Sequence, residues 1–116
     1  MNETEVTQPL LLLSHYLHFQ SSNYDERLIS TDYMIGHSLG EYSALVNAGS
    51  ITLAEGLKLV HQRGKMMKKV TESPHGMLVV RIPPEQTKII KEEVHKAGLQ
   101  IASYNSPSTI VVAGLK

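Results

Sequence analysis

A serine set between two glycines, Gly36-His37-Ser38-Leu39-Gly40, constrains this chain more than any other stretch. The apolar run before it, Tyr33-Met34-Ile35, reads as the end of a buried strand. The run after it, Glu41 through Ala48, reads as a helix that Gly49 closes. Strand, sharp turn and helix make the context of a nucleophile elbow: the glycines permit the turn, and the turn lifts the serine oxygen clear of the sheet. The amides after the serine then point from a helix N-terminus to the place where an oxyanion forms. On this reading Ser38 is a nucleophile. The alternative is a turn serine that caps the helix.

Around this elbow, Thr7 is placed to cap a helix that begins near Gln8-Pro9 and carries Leu10, Leu13, Tyr16 and Leu17. Asn23 to Asp32 reads as a polar loop. Thr52-Leu53-Ala54-Glu55 is a capping box, and Leu53, Leu57, Val60, Met67 and Val70 follow at helical spacing. Ser73-Pro74-His75-Gly76 ends that helix and predicts a subdomain boundary, dividing residues 1–73 from 74–116. Beyond it come a β-rich run from Met77 to Ile82 and a helix from Pro83-Pro84 to Gly98 bearing Ile89, Ile90, Val94 and Ala97. A strand from Leu99 to Tyr104, a turn at Asn105-Ser106-Pro107-Ser108 and a strand from Thr109 to Ala113 complete the chain. This is most of a split βαβ unit, with one helix and one strand owed.

An elbow strand ordinarily lies inside a parallel sheet, and each neighbour needs its own crossover. The 32 residues before Tyr33 offer one helix and a loop, so the supporting sheet is not encoded here. The chain is therefore expected to be an internal fragment of a larger protein. Its 11 basic and 11 acidic residues cancel, which argues against nucleic acid or an anionic membrane as partner. The absence of cysteine removes disulfides, zinc–thiolate sites and cysteine nucleophiles. Leu10 to Leu13 is too short to span a bilayer, and Asn2, Glu3 and Glu5 do not fit a signal or transit segment.

Arg63 admits two readings, a solvated helix arginine or a guanidinium that grips a carboxylate through paired hydrogen bonds. His37 is a poor general base for Ser38, because adjacent side chains diverge across an elbow. His15 and His18 share a helix face without a third ligand, so no metal site is expected. His61, His75 and His95 read as surface residues, and Met66, Met67 and Met77 as core or core-edge packing. Lys58, Lys65, Lys68 and Lys69 give the second long helix a basic side, read as a solvated face in preference to a surface for an acidic partner.

In Thr7-Gln8-Pro9, in Gly36 through Leu45, in Arg63-Gly64 with Met67, and in Asn105-Ser106-Pro107, the chain resembles the malonyl-CoA:acyl-carrier-protein transacylase family. The matches fall in order across nearly the whole sequence. The resemblance implies an α/β fold: part of an α/β-hydrolase-like acyltransferase core with a partial ferredoxin-like small subdomain. It implies a serine acyl-enzyme that takes malonyl from coenzyme A and passes it to the pantetheine thiol of acyl carrier protein, in fatty-acid or polyketide synthesis. Ser38 matches the nucleophile, the Leu39 amide one oxyanion donor, and Arg63 the arginine that holds the free malonyl carboxylate. His37 matches a residue that shapes the site, and Asn105 one on the small-subdomain side of the cleft. No bound cofactor is implied; malonyl-CoA is a substrate.

The family's upstream oxyanion loop and its downstream catalytic histidine have no counterpart in these residues, and Thr109 stands where many relatives have glutamine. The polypeptide alone is accordingly expected to have little or no transferase activity. Two other functions compete: a serine esterase or thioesterase of the α/β-hydrolase type, and a non-catalytic truncated fragment. The resemblance places a eukaryotic stand-alone member in mitochondria and others in the cytoplasm.

Overall fold

In the computed structural model, which describes residues 3–22, 32–70 and 75–115, the chain forms two units, Met1–Val70 and Thr71–Lys116, of mixed α/β structure. The boundary expected at Ser73-Pro74 and most of the polar loop from Asn23 lie outside the described residues.

The first unit is helical. Helix α1 runs Thr4–Ser21, α2 Leu39–Asn47 and α3 Leu53–Val70. Leu12 and Val60 are fully buried and meet Val46, with Tyr16, Leu39, Tyr42, Ile51, Leu53 and Leu57 packed around them. Burial of a side chain such as Leu12 contributes about 1.5–3 kcal/mol. The capping box forms: the Glu55 amide donates to Thr52 Oγ1 at 3.2 Å, and the Thr52 amide donates to Glu55 Oε2 at 2.8 Å.

Four expectations in this unit need correction. Helix α1 starts at Thr4, with Glu3 as N-cap, so Pro9 sits inside it. Proline lacks the amide that would reach the Glu5 carbonyl one turn earlier, and His61 Nδ1 donates to that carbonyl instead, at 2.9 Å. His61 is thereby half-buried, not a surface residue. The buried face of α1 carries Gln8 and Leu12, while Leu10 and Leu17 are exposed. Finally, Tyr33-Met34-Ile35 forms no strand, and Tyr33 and Ile35 are 86% and 95% exposed. A strand is held by its ladder, and the described residues of this unit are otherwise helices and turns.

Two glycines set the helix packing. A Cβ on Gly64 would stand 2.6 Å from Glu5 Cα and 2.7 Å from the Thr4 carbonyl oxygen, so α3 and α1 approach backbone to backbone. A Cβ on Gly56 would stand 2.6 Å from Val46 Cγ2. Met66 and Met67 on α3 are exposed, as is Met77 in the second unit, and none is core, although Met67 Sδ reaches buried Gln8 at the edge of the α1–α3 pair.

The second unit contains β1 (His75–Arg81), a 3-10 turn (Pro84–Gln86), α4 (Thr87–Lys96), β2 (Gln100–Ser106) and β3 (Thr109–Leu115). The sheet order is β1-β3-β2, and β3 is antiparallel to both neighbours, so β1 and β2 run parallel with β3 between them. Ile82, Ile110 and Val112 form its core, and Val80, Ile90, Val94, Leu99 and Ile101 pack against them. Ser106 pairs with Thr109, leaving only Pro107-Ser108 as the turn. Asn105 therefore lies within β2, not in the turn expected for it, because the tight connection extends the ladder to Ser106. No helix among the described residues is long and apolar enough to cross a membrane.

Candidate active site

Ser38 immediately precedes α2 with φ 55° and ψ −112°. Among the described residues it is the one non-glycine with positive φ. Such a conformation costs an L-residue about 1–3 kcal/mol and persists when its surroundings over-determine it. They do so here: a Cβ on Gly36 would overlap the carbonyl of Gly40, so the chain doubles back tightly across the elbow. The amides of Gly40 and Glu41 donate to the carbonyls of His37 and Ser38 at 2.9 and 3.2 Å. Leu39, the first residue of α2, has no acceptor within the helix for its amide.

The Ser38 side chain makes no capping hydrogen bond to α2. Its Oγ instead accepts from Arg63 Nη2 at 2.9 Å. Arg63 Nη1 donates to Gln8 Oε1 at 2.6 Å, and Gln8 Nε2 donates to Met67 Sδ at 3.4 Å. The guanidinium carbon lies 5.9 Å from the Tyr42 ring centroid, at the outer reach of a cation–π contact. Gln8 is 5% exposed, so its amide is oriented inside the packed pair α1–α3 while Ser38 faces solvent.

Ser38, Leu39 and Arg63 are thus brought together by α2 and α3. His37 is exposed beside Ser38. Asn105 belongs to the other unit, where its Oδ1 accepts from Ser103 Oγ at 2.8 Å. Gln8 and Tyr42 carry no role in the sequence reading, although both stand in stretches that match the family, Thr7-Gln8-Pro9 and Gly36 through Leu45. His15, weighed above with His18, shares a hydrogen bond of 2.8 Å with Ser43 Oγ. Among the described residues no three histidine or carboxylate side chains are grouped to hold a metal.

An open groove of about 470 Å³ runs along the opposite face of α2, lined by Met34, Ile35, Gly36, Ala44, Leu45 and Ala48. None of Ser38, Gln8 or Arg63 lines it.

A strained serine at a helix start, hydrogen-bonded to a guanidinium, sets a hydroxyl and a cation side by side on the exposed face of the elbow. Comparison with known proteins gives the family. The chain is 37% identical over 117 residues to the polyketide biosynthesis protein PksE of Bacillus subtilis, covering all of this chain and 15% of that protein. It is 37% identical over 122 residues to the malonyl CoA-acyl carrier protein transacylase of Escherichia coli K12, covering all of this chain and 38% of the relative. The crystal structure of malonyl CoA-acyl carrier protein transacylase from Clostridium perfringens superposes with a TM-score of 0.77 at 38% identity, over 98% of this chain and 36% of that one. The chain spans well under half the length of these relatives. Its residues 1–116 match the acyl transferase domain throughout, and the chain belongs to that family.

Proposed function

We propose that this chain is the elbow-bearing segment of a malonyl-CoA:acyl-carrier-protein transacylase, with Ser38 as nucleophile and Arg63 as the ligand of the malonyl carboxylate. The observation that carries this reading is the 2.9 Å contact between Arg63 Nη2 and Ser38 Oγ. It sets a guanidinium beside the reacting oxygen, where a short acyl group ending in a carboxylate would reach it. A plain esterase has no use for a cation there, which disfavours the hydrolase alternative. The transferase names of the relatives in E. coli and C. perfringens support the same choice.

In the step proposed, Ser38 Oγ attacks the thioester carbonyl of malonyl-CoA. A C–O bond forms, the C–S bond breaks, and coenzyme A leaves as the thiol with the proton lost by serine. The carbonyl oxygen passes through an oxyanion faced by the Leu39 amide. The pantetheine thiol of acyl carrier protein then reverses the sequence and carries malonyl away. Among the described residues no histidine hydrogen-bonds Ser38, and the proton is assigned to a base that these residues do not supply. His37 flanks the nucleophile, and Asn105 is proposed as a substrate-binding residue.

For the fold, the first unit is read as part of an α/β-hydrolase-like core. The second is read as a partial ferredoxin-like subdomain, supported by the parallel β1 and β2 split by β3. Intact-mass measurement after incubation with malonyl-CoA tests the function. A family-length domain containing this segment is expected to gain a malonyl adduct that Ser38→Ala abolishes, and the segment alone is expected to gain little or none. A full-length domain that stays unmodified refutes the reading.

A further inference from the structure

We propose that Arg63 holds Ser38 in check until a carboxylate draws the guanidinium away, so that the acyl group is selected at the attack itself as well as in binding. The proposal rests on the transferase reading for the identity of that carboxylate, and on the geometry of three residues for the restraint.

The two ends of the guanidinium are held differently. Nη1 is tied to Gln8 Oε1 at 2.6 Å, on a side chain 5% exposed whose amide is oriented by Met67 Sδ at 3.4 Å. Nη2 donates at 2.9 Å to Ser38 Oγ, on the exposed side of the elbow. The Gln8 end is anchored in the helix pair, and the Ser38 end is the exchangeable one. A hydroxyl oxygen that accepts from a cation gives up electron density from the lone pairs it needs to attack a carbonyl. A hydrogen bond with charge on both partners is shorter and stronger than one to a neutral hydroxyl. An incoming carboxylate therefore outcompetes Ser38 for Nη2 and leaves the serine oxygen free. An uncharged acyl group leaves the restraint in place.

The test is the rate at which Ser38 reacts with phenylmethylsulfonyl fluoride, a neutral probe, in the family-length domain. Its sulfur accepts the serine oxygen, fluoride departs, and the serine proton is lost to base. Arg63→Ala is expected to raise this rate about ten-fold, the effect of removing one hydrogen bond to a charged group. Because that variant can fail to fold, the wild-type domain is titrated with formate, a carboxylate small enough to meet the guanidinium without filling the acyl site. A saturable rise with formate, absent with chloride at equal ionic strength, supports the restraint. Sulfonylation that is unchanged or slower in folded Arg63→Ala, or unmoved by formate, overturns it. Malonyl loading of the same wild-type sample is measured in parallel. Loading without the restraint leaves the transferase reading standing, and restraint without loading removes the transferase reading alone.

Discussion

His61 Nδ1 donates at 2.9 Å to the Glu5 carbonyl, the backbone acceptor that Pro9 leaves without its helical partner. Because a carbonyl only accepts, Nδ1 carries the hydrogen. The contact joins α3 to the first turns of α1, three positions before Gln8. Replacing His61 by leucine is expected to cost about 1–3 kcal/mol of unfolding free energy, the penalty of an unsatisfied polar group. Pro9→Ala restores an amide that competes for the same carbonyl, so the His61 substitution should cost less in that background. Urea unfolding of the four proteins in this cycle measures the coupling, and strictly additive effects would contradict the account.

Gln8 separates positioning from charge. Gln8→Leu removes the acceptor for Arg63 Nη1 and is expected to lower kcat/KM for malonyl loading by about ten-fold. Gln8→Glu substitutes a carboxylate that binds the guanidinium permanently and competes with substrate. It should be the more damaging of the two, with its loss chiefly in KM for malonyl-CoA. Steady-state loading in a family-length domain distinguishes them, and equal kinetics for both would show that Arg63 is not oriented by this residue.

Gly64→Ala tests the close approach of α1 and α3. The added methyl meets the Thr4–Glu5 backbone of α1, which cannot rotate away as a side chain does. A loss of about 1–3 kcal/mol is expected from overpacking, seen as a lower melting temperature with helix content retained before the transition. A neutral result would mean that the helices separate without penalty.

At the start of α3, the hydroxyl and the amide of Thr52 hydrogen-bond Glu55 and hold its carboxyl below the usual carboxylate range. A group whose pKa falls on folding adds stability above its unfolded pKa and loses it as pH falls through the folded value. Glu55→Gln should therefore be less stable than wild type near neutrality and match it in acid, once both carry an uncharged side chain. Thermal melts across pH 2 to 7, a range of about five units around the ordinary carboxylate pKa, follow the difference. A gap independent of pH would show that the carboxylate charge is irrelevant to the cap.

The legible parts of this structure were those whose determinants are local. Thr52 and Glu55 announce a helix start by their spacing alone, and the capping bonds form as read. The apolar runs of β1 and β3 and the apolar spacing in α4 likewise yield the second unit's core. Leu10 to Leu13 are consecutive leucines without a period, so the sequence carries no mark that Leu12 turns inward and Leu10 outward. The burial of Gln8 goes with its contacts to Arg63 and Met67, far along the chain, and is invisible locally. Tyr33-Met34-Ile35 has the composition of a strand, but a strand is a property of the pair, and its propensity alone leaves it uncovered. Arg63 beside Ser38 was accessible through family resemblance, whereas the helix pattern alone favoured a solvated arginine.

The positive φ of Ser38 divides what this position does for the fold from what it does for chemistry. Glycine occupies such backbone without steric penalty, and it would also relieve α2 of a side chain that does not cap it. Laboratory evolution of this segment for heat resistance alone would therefore drift to Ser38→Gly and return sturdier, inert proteins. Any screen that aims to stabilise the domain has to score turnover in the same round, because at residue 38 the two selections ask for different amino acids.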